Sequence, residues 1–376
     1  MKNKSIYVLM LASSVLAACG SQGSSSETDS TTTVNDSTVV KTDSSKSLKP
    51  KMAKPAWGPD LKPEMQAVIE KLASYGDKPI PQLTAQEARK NHTPTDAVMD
   101  LMKENNIPIP DMKVDTMGKD IPSDGANIHV RVYTPQGASG NLPVIVYYHG
   151  GGFVIANLDV YDAAPKALAH LVNAVVVSVA YRLAPEHKFP TAHKDAFAAY
   201  QWVVKNAASI KGDPKKIAVA GESAGGNLAV NMAIMARDKG VMLPTSILAV
   251  YPVAQSDMNT ASYQKNANDK PLDKPMMAWF VKNYLNSMSE GKDPRINLVA
   301  ANLKGLPATT IITAEYDPLH DDGTMLADKL KAAGVSVDSK NYDGVTHEFF
   351  GMGAVVPQAK DAEQYAADQL KKAFGL

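Results

Sequence analysis

The first candidate for chemistry is Ser223, which lies in the segment Gly-Glu-Ser-Ala-Gly at residues 221–225. A β-branched run, 216–220, precedes this segment, and a helical pattern follows it at once. A serine between a strand and a helix sits on a tight turn, so the residues two before and two after it must be small. The turn also places the hydroxyl at the helix N-terminus, where free N–H groups favour a developing negative charge. The pentapeptide alone also occurs in ordinary turns, but this context favours a nucleophile.

A glycine-rich loop, His-Gly-Gly-Gly at residues 149–152, follows the apolar run 143–148. Consecutive glycines let backbone N–H groups face a cavity without a Cβ in the way. Acyl-transfer enzymes need such donors where the tetrahedral oxyanion forms. The rival interpretation, a phosphate-binding loop, fits poorly because neither Gly-Lys-Ser/Thr nor Gly-x-Gly-x-x-Gly surrounds these residues. The loop therefore indicates an oxyanion site.

A serine hydroxyl needs a base, and the base needs an acid that orients it. When the serine lies on such a strand–turn–helix, acid and base follow it along the chain. Two of the eight histidines, His320 and His347, follow Ser223. His320 begins a predicted helix, whereas His347 follows the last predicted strand, so we take His347 as the base. Its ordinary pKa predicts a fall in activity below about pH 6–7.

The acid is expected at the end of the preceding strand, where Asp317 stands in the turn. We assign four further acidic residues to the strand end, the helix N-cap or the turn, namely Glu315, Asp321, Asp322 and Asp343. His347-Glu348 also begins like the zinc motif His-Glu-x-x-His, but position 351 is glycine, so a zinc site is unsupported. We expect neither a metal ion nor an organic cofactor.

These motifs together resemble the hormone-sensitive-lipase family of bacterial esterases, over about residues 60–376. The resemblance rests on His-Gly-Gly-Gly-Phe (149–153), Tyr-Arg-Leu-Ala-Pro-Glu-His (181–187), Gly-Glu-Ser-Ala-Gly-Gly (221–226), Asp-Pro-Leu (317–319) and the His347 loop. It implies a triad of Ser223, Asp317 and His347, and oxyanion donors from the N–H groups of Gly151, Gly152 and Ala224. It also implies that His149 is structural.

Two positions depart from this family's usual pattern. Glu222 stands where the family more often has Asp or Thr, and His320 stands where Arg is usual. Both lie outside the implied triad. They bear on selectivity and pH behaviour more than on the chemistry.

The elements that must position these residues alternate between strands and helices from about residue 111 onward. Continuous apolar runs at 143–148 and 174–180 are typical of strands that are covered on both faces. The pattern predicts an α/β-hydrolase fold, with a mostly parallel central sheet and helices on both faces. The amphipathic segment 60–110 and the interruption at 254–303 match the helical cap that the resemblance implies. The hydrolase domain is predicted over 57–376.

The N-terminus carries a targeting pattern. Lys2 and Lys4 precede an apolar stretch too short for a confident membrane span, so we assign residues 1–18 to a signal peptide. Leu-Ala-Ala-Cys at 16–19 resembles the lipobox of bacterial lipoproteins, which implies lipidation of Cys19; an ordinary signal peptide is the alternative. The Ser/Thr-rich segment 19–56 is expected to be a disordered tether. These features predict a lipid anchor in the cell envelope, with the outer membrane favoured because Gly20 follows Cys19.

Composition excludes some functions and leaves others open. Lys plus Arg and Asp plus Glu both number 39, so no charge excess indicates nucleic-acid binding. The resemblance implies a serine esterase for small-molecule esters with short to medium acyl groups. A deacetylase or acyltransferase on an envelope or polymer substrate, a true lipase and a non-catalytic binding module are the alternatives.

Overall fold

The computed structural model describes residues 48–376 of the chain. The predicted signal peptide, Cys19 and most of the predicted tether lie outside the described residues. The predicted boundary at residue 57 comes too late, because Leu48 is already buried in the core. The backbone N–H groups of Lys51 and Met52 also donate hydrogen bonds to the carboxylate of Glu70.

The centre of the described part is an eight-stranded sheet. Its strand order is β1-β2-β4-β3-β5-β6-β7-β8. The strands are β1 (Val114–Ser123), β2 (Ala126–Pro135), β3 (Leu142–Tyr148), β4 (Val175–Ala180), β5 (Gly212–Glu222), β6 (Ile247–Val250), β7 (Thr309–Tyr316) and β8 (Val337–Thr346). Strands β3 to β8 run parallel, and β2 pairs antiparallel with both β1 and β4. The predicted fold class, an α/β-hydrolase fold, is confirmed.

Strand β1 was absent from the sequence prediction. Nearly all its residues are exposed or half-buried, and Ile121 is its one buried side chain. An edge strand that faces solvent does not alternate between apolar and polar residues, so the sequence pattern does not reveal it. Its pairing with β2 in a hairpin becomes apparent only in the folded structure.

The helices of residues 48–376 cover both faces of the sheet. They are α1 (Pro63–Ser74), α2 (Ala85–Ala88), α3 (Pro94–Glu104), α4 (Ala163–Val172), α5 (Thr191–Asn206), α6 (Ala224–Asp238), α7 (Ala261–Lys265), α8 (Lys274–Tyr284), α9 (His320–Ala332) and α10 (Pro357–Phe374). None of these helices is both long enough and apolar enough to cross a membrane.

Strand β3 illustrates how the sheet divides the core. All seven of its residues are buried. Val144 and Val146 join the cluster formed with α5, α6 and α9, while Ile145 and Tyr147 join the cluster formed with α1, α3, α4 and α10. Alternate side chains of a strand point to opposite faces, so an uninterrupted apolar run is what two covered faces require.

Candidate active site

Ser223 lies on the turn between β5 and α6. Its backbone has φ 55° and ψ −117°, a conformation that L-residues rarely adopt. The turn is held by the Ser223 N–H, which donates to the Val250 carbonyl at 2.9 Å. A Cβ on Gly225 would collide with the Tyr148 carbonyl, so helix α6 can approach β3 only with glycine there. The small residue two positions after Ser223 therefore has a steric cause.

Asp317 and His347 are brought together at the ends of neighbouring strands β7 and β8. Nδ1 of His347 lies 2.7 Å from Oδ2 of Asp317. The other carboxylate oxygen of Asp317 accepts the Leu319 N–H at 2.8 Å. Both side chains are almost fully buried. Burial lowers the pKa of His347, but the charge and hydrogen bond of Asp317 outweigh it, so this pKa is raised.

The other acidic candidates are occupied elsewhere. Glu315 accepts from the Gly344 N–H, Asp321 from the Ser262 N–H, and Asp322 from the Ala254 N–H. Asp343 is exposed and bonded to Asn341. His320 begins helix α9 beside Asp321 and is absent from the lining of the cavity that contains His347. Of these acids, Asp317 is the one bonded to His347.

The glycine loop follows β3 and faces the same site. Gly151 and Gly152 have φ values of 96° and 59°, and a Cβ on Gly152 would collide with the ring of Phe280. Among residues 48–376, the N–H groups of Gly151 and Gly152 donate no hydrogen bond, so they are free to bind an oxygen. Ala224 is the first residue of α6, where the backbone N–H has no partner within the helix.

His149 is buried beneath this loop. Its imidazole stacks on the ring of Tyr181 with centroids 4.4 Å apart, and the Tyr181 hydroxyl donates to the His149 carbonyl at 2.8 Å. Burial lowers the pKa of His149 to about 4, so the ring is neutral at neutral pH. Its position agrees with a structural role.

A cavity of about 530 Å³ joins these groups. Ser223, His347, Gly151 and Gly152 contribute to its wall. The opposite wall comes from both predicted cap segments, through residues between 69 and 94 and between 270 and 280. A second, smaller cavity of about 30 Å³ lies behind four residues that line both, namely Gly152, Val253, Met277 and Phe280. Within the described residues, no cluster of three or more His, Cys, Asp or Glu side chains could hold a metal ion.

The structure adds three residues that the sequence analysis did not assign. Glu348 lines the cavity, with its Oε1 4.0 Å from Nε2 of His347, and the Tyr161 hydroxyl is bonded to its carboxyl group. The ring of Tyr251 lies 4.4 Å from the His347 ring. Nothing in the local pattern marks the two tyrosines; adjacency to His347 was the available signal for Glu348.

Glu222, which departs from the family's usual pattern, is fully buried beside Ser223. Its two carboxyl oxygens are bonded to the hydroxyls of Tyr147 and Tyr251. Burial raises the pKa of Glu222 well above its usual value. Tyr147 lies on β3 and Tyr251 directly follows β6, so this acid links the two strands that flank β5.

Comparison with known proteins places these observations among esterases. A family model described as an α/β-hydrolase fold matches residues 145–351. The carboxylesterase NlhH of Mycobacterium tuberculosis is 42% identical over 272 residues, which are 71% of this chain and 84% of that protein. The ethyl acetate hydrolase of Pseudomonas putida is 32% identical over 321 residues, which are 84% of this chain and 98% of that protein. The solved esterase of Pyrobaculum calidifontis superposes with a TM-score of 0.76 at 37% identity, covering 83% of this chain and 98% of that one.

Proposed function

This chain belongs to the α/β-hydrolase family and is a carboxylesterase, and we propose that Ser223, His347 and Asp317 are its nucleophile, base and orienting acid. The observation that carries this assignment is the 2.7 Å contact between Asp317 and His347, at the wall of a cavity that also contains Ser223. The other acid–histidine pair after Ser223, Asp321 and His320, has its closest atoms 3.4 Å apart and does not line this cavity.

In the proposed mechanism, Nε2 of His347 removes the proton of the Ser223 hydroxyl as Oγ attacks the ester carbonyl carbon. The carbonyl electron pair moves to oxygen, which is then bound by the N–H groups of Gly151, Gly152 and Ala224. Collapse of this intermediate breaks the bond to the alcohol, and His347 returns the proton to the departing oxygen. Water, activated by the same imidazole, then attacks the acyl-serine and releases the acid.

Asp317 holds the imidazole in the tautomer that leaves Nε2 free to accept a proton. It also stabilises the imidazolium that each transfer creates, without being protonated itself. Removing one oxyanion donor typically costs about 3–4 kcal/mol of transition-state stabilisation. Because Gly151, Gly152 and Ala224 donate through the backbone, no side-chain substitution removes these donors directly.

We propose that the substrates are small esters with short to medium acyl groups. Met277 and Phe280 line both the main cavity and the small apolar cavity, which are separate from each other. An acyl chain long enough to enter the small cavity would have to displace these side chains. The name of the Pseudomonas putida relative, ethyl acetate hydrolase, supports the same size range for that protein.

We further propose that Cys19 carries a lipid anchor that holds the enzyme in the cell envelope, in the outer membrane where one exists. The support is the signal-peptide and lipobox pattern of residues 1–19. Cys19→Ala should abolish labelling by a radioactive fatty acid in growing cells and release the protein from the membrane fraction. Equal labelling of both forms would contradict the proposal.

The test of the esterase assignment is hydrolysis of nitrophenyl esters, from acetate to palmitate, by the chain beginning at Gly20. Ser223→Ala should lose at least 10³-fold in turnover with unchanged thermal unfolding. Ser246→Ala, which changes another buried serine, is the matched control and should retain turnover. Equal, negligible turnover by the parent chain and Ser223→Ala would overturn the assignment for simple esters and favour a polymer deacetylase or a binding protein. A jump in activity at a lipid interface would indicate a true lipase.

A further inference from the structure

Glu348 has a backbone conformation that its residue type does not favour. It follows His347 and adopts φ 71°, in the left-handed region where glycine is the usual residue. Its side chain, 22% exposed, points into the cavity that also contains Ser223. A strained residue at the wall of a reaction site suggests that its side chain contributes to function.

The contacts of Glu348 place its carboxyl group on one particular side of the imidazole. Oε1 lies 4.0 Å from Nε2 of His347, whereas Asp317 contacts Nδ1. The Tyr161 hydroxyl lies 2.5 and 2.7 Å from the two carboxyl oxygens. Among residues 48–376, His347 is the one basic side chain within ion-pair distance of Glu348, and it is a cation only when protonated.

Tyr161 accounts for the length of the 4.0 Å contact. Its hydroxyl holds the carboxyl group of Glu348, and its ring has room because Gly150 has no Cβ; an added Cβ would collide with the hydroxyl. At 4.0 Å the Glu348 oxygen is too far from Nε2 for a hydrogen bond but close enough for charge attraction. Nε2 therefore stays available for the Ser223 hydroxyl.

We propose that Glu348 is a positioning residue that stabilises the His347 imidazolium from the Nε2 side, complementing Asp317 at Nδ1 and leaving Nε2 unbonded. The inference rests on the proposed triad. In each acyl-transfer step, Nε2 takes the proton of Ser223 or water and the imidazolium forms 4.0 Å from this carboxylate. The proton then goes to the departing oxygen, and no proton transfer to Glu348 is needed.

Other titratable groups surround this pair. Asp317 contacts His347, and Tyr251 packs on its ring with its own hydroxyl bonded to Glu222. Tyr161 contacts Glu348, and burial together with the charge of Glu348 raises the pKa of Tyr181. The pKa of Glu348 is raised, because the effect of burial exceeds the lowering by the neighbouring His347 and by the Tyr161 hydrogen bond. Glu348 and His347 therefore titrate as a coupled pair.

The decisive variant is Glu348→Gln, which keeps the size and an oxygen for Tyr161 but removes the charge. We expect the acid limb of kcat/KM to move to lower pH by about one unit, because an opposite charge has been removed from the imidazolium. Glu363→Gln is the matched control. It changes a buried glutamate on α10 that lies outside the cavity, so its pH profile should match that of the parent chain.

A second readout separates this inference from the esterase proposal. The His347 imidazole is titrated by NMR in the Ser223→Ala chain, with and without Glu348→Gln, so that no catalysis is required. A drop of about one unit in the His347 pKa is expected. An unchanged His347 pKa, or an unmoved acid limb in a folded variant, would overturn the role of Glu348. Absent turnover in the parent chain would instead overturn the esterase proposal while leaving this titration informative.

Tyr161→Phe tests the restraint on the carboxyl group. Without the hydroxyl, we expect the Glu348 carboxylate to move closer and accept a hydrogen bond from Nε2–H of the imidazolium, which holds His347 in the protonated form that cannot take the proton of Ser223. kcat should fall about tenfold with little change in KM for nitrophenyl acetate, and adding Glu348→Gln should restore it to the level of Glu348→Gln alone. A loss that the second substitution does not restore would contradict the restraint.

Discussion

The two walls of the cavity are built on different principles. On one side, the glycine loop, Ser223, Asp317 and His347 each follow directly after a parallel strand, at β3, β5, β7 and β8. Their positions are therefore set by main-chain hydrogen bonds of a buried sheet. On the other side, the cap segments reach the cavity through side chains of short helices and loops. The difference suggests that the sheet wall determines the reaction and the cap wall determines which esters enter.

Side-chain contacts hold the cap wall in place. Arg89 of the first cap segment donates to the Val154 carbonyl at 2.8 Å and pairs with Glu186. The Trp279 indole N–H donates to the Leu83 carbonyl at 2.9 Å, which joins the two cap segments to each other. Such contacts can be rearranged at a lower free-energy cost than the ladder of a central strand. Substitutions in the cap should therefore alter selectivity before they abolish turnover.

The largest effect is expected at the sheet wall, for Asp317→Asn. The amide would favour the wrong His347 tautomer, and kcat should fall by about 10⁴-fold without loss of fold. Steady-state kinetics and circular dichroism measure both quantities. Asp343→Asn, at an exposed acid on the neighbouring strand, is the control and should be close to the parent chain. A loss below tenfold for Asp317→Asn would mean that another acid orients the base.

A smaller, selective effect is expected at the cap wall, for Phe280→Ala. Removing this ring should join the two cavities and raise kcat/KM for octanoate relative to acetate by about tenfold. Met258→Ala enlarges the small cavity without opening the partition, so its chain-length profile should stay unchanged. If Phe280→Ala instead lowers turnover of all esters equally, the cap wall contributes to the reaction itself and the comparison fails.

The smallest effect on activity is expected at Asp269, a fully buried cap residue. Among the described residues, neither of its carboxyl oxygens has a hydrogen-bond partner. Burial, and then the charge of Asp317, raises its pKa to about 7. Its usual value of about 3.9 in an unfolded chain is lower, so the free energy of unfolding should fall as pH rises from about 4 to 7.

Asp269→Asn should remove this pH dependence and stabilise the chain by about 1–3 kcal/mol at pH 8, with little gain at pH 4. Urea unfolding at the two pH values measures the difference. Asp257→Asn changes an exposed acid of the same segment and should leave the pH dependence intact. Equal pH dependence in the parent chain and Asp269→Asn would show that this carboxyl group is not a source of instability.

Most of the reaction side could be predicted from local patterns. The small residues around Ser223 predict the tight turn between β5 and α6. The apolar run of β3 predicts that both faces of this strand are buried. The helical pattern that directly follows Ser223 in the sequence is α6, which begins at Ala224. The exposed β1 could not be predicted, because its pairing depends on β2 alone and its side chains face solvent.

From β2 onward, the sequence by itself determined the order of the strands, and it determined the residue types at the proposed site. Both depend on apolar periodicity and on the steric limits of turns, which act over a few residues. Tertiary structure alone decided which side chains meet. Asp317 and His347 are 30 residues apart, and Tyr161 lies 187 residues from Glu348, yet each pair forms a hydrogen bond. Such contacts depend on which strands become neighbours and how their ends align. For the same physical reason, the charge that faces Nε2 of His347 became visible only in the folded chain.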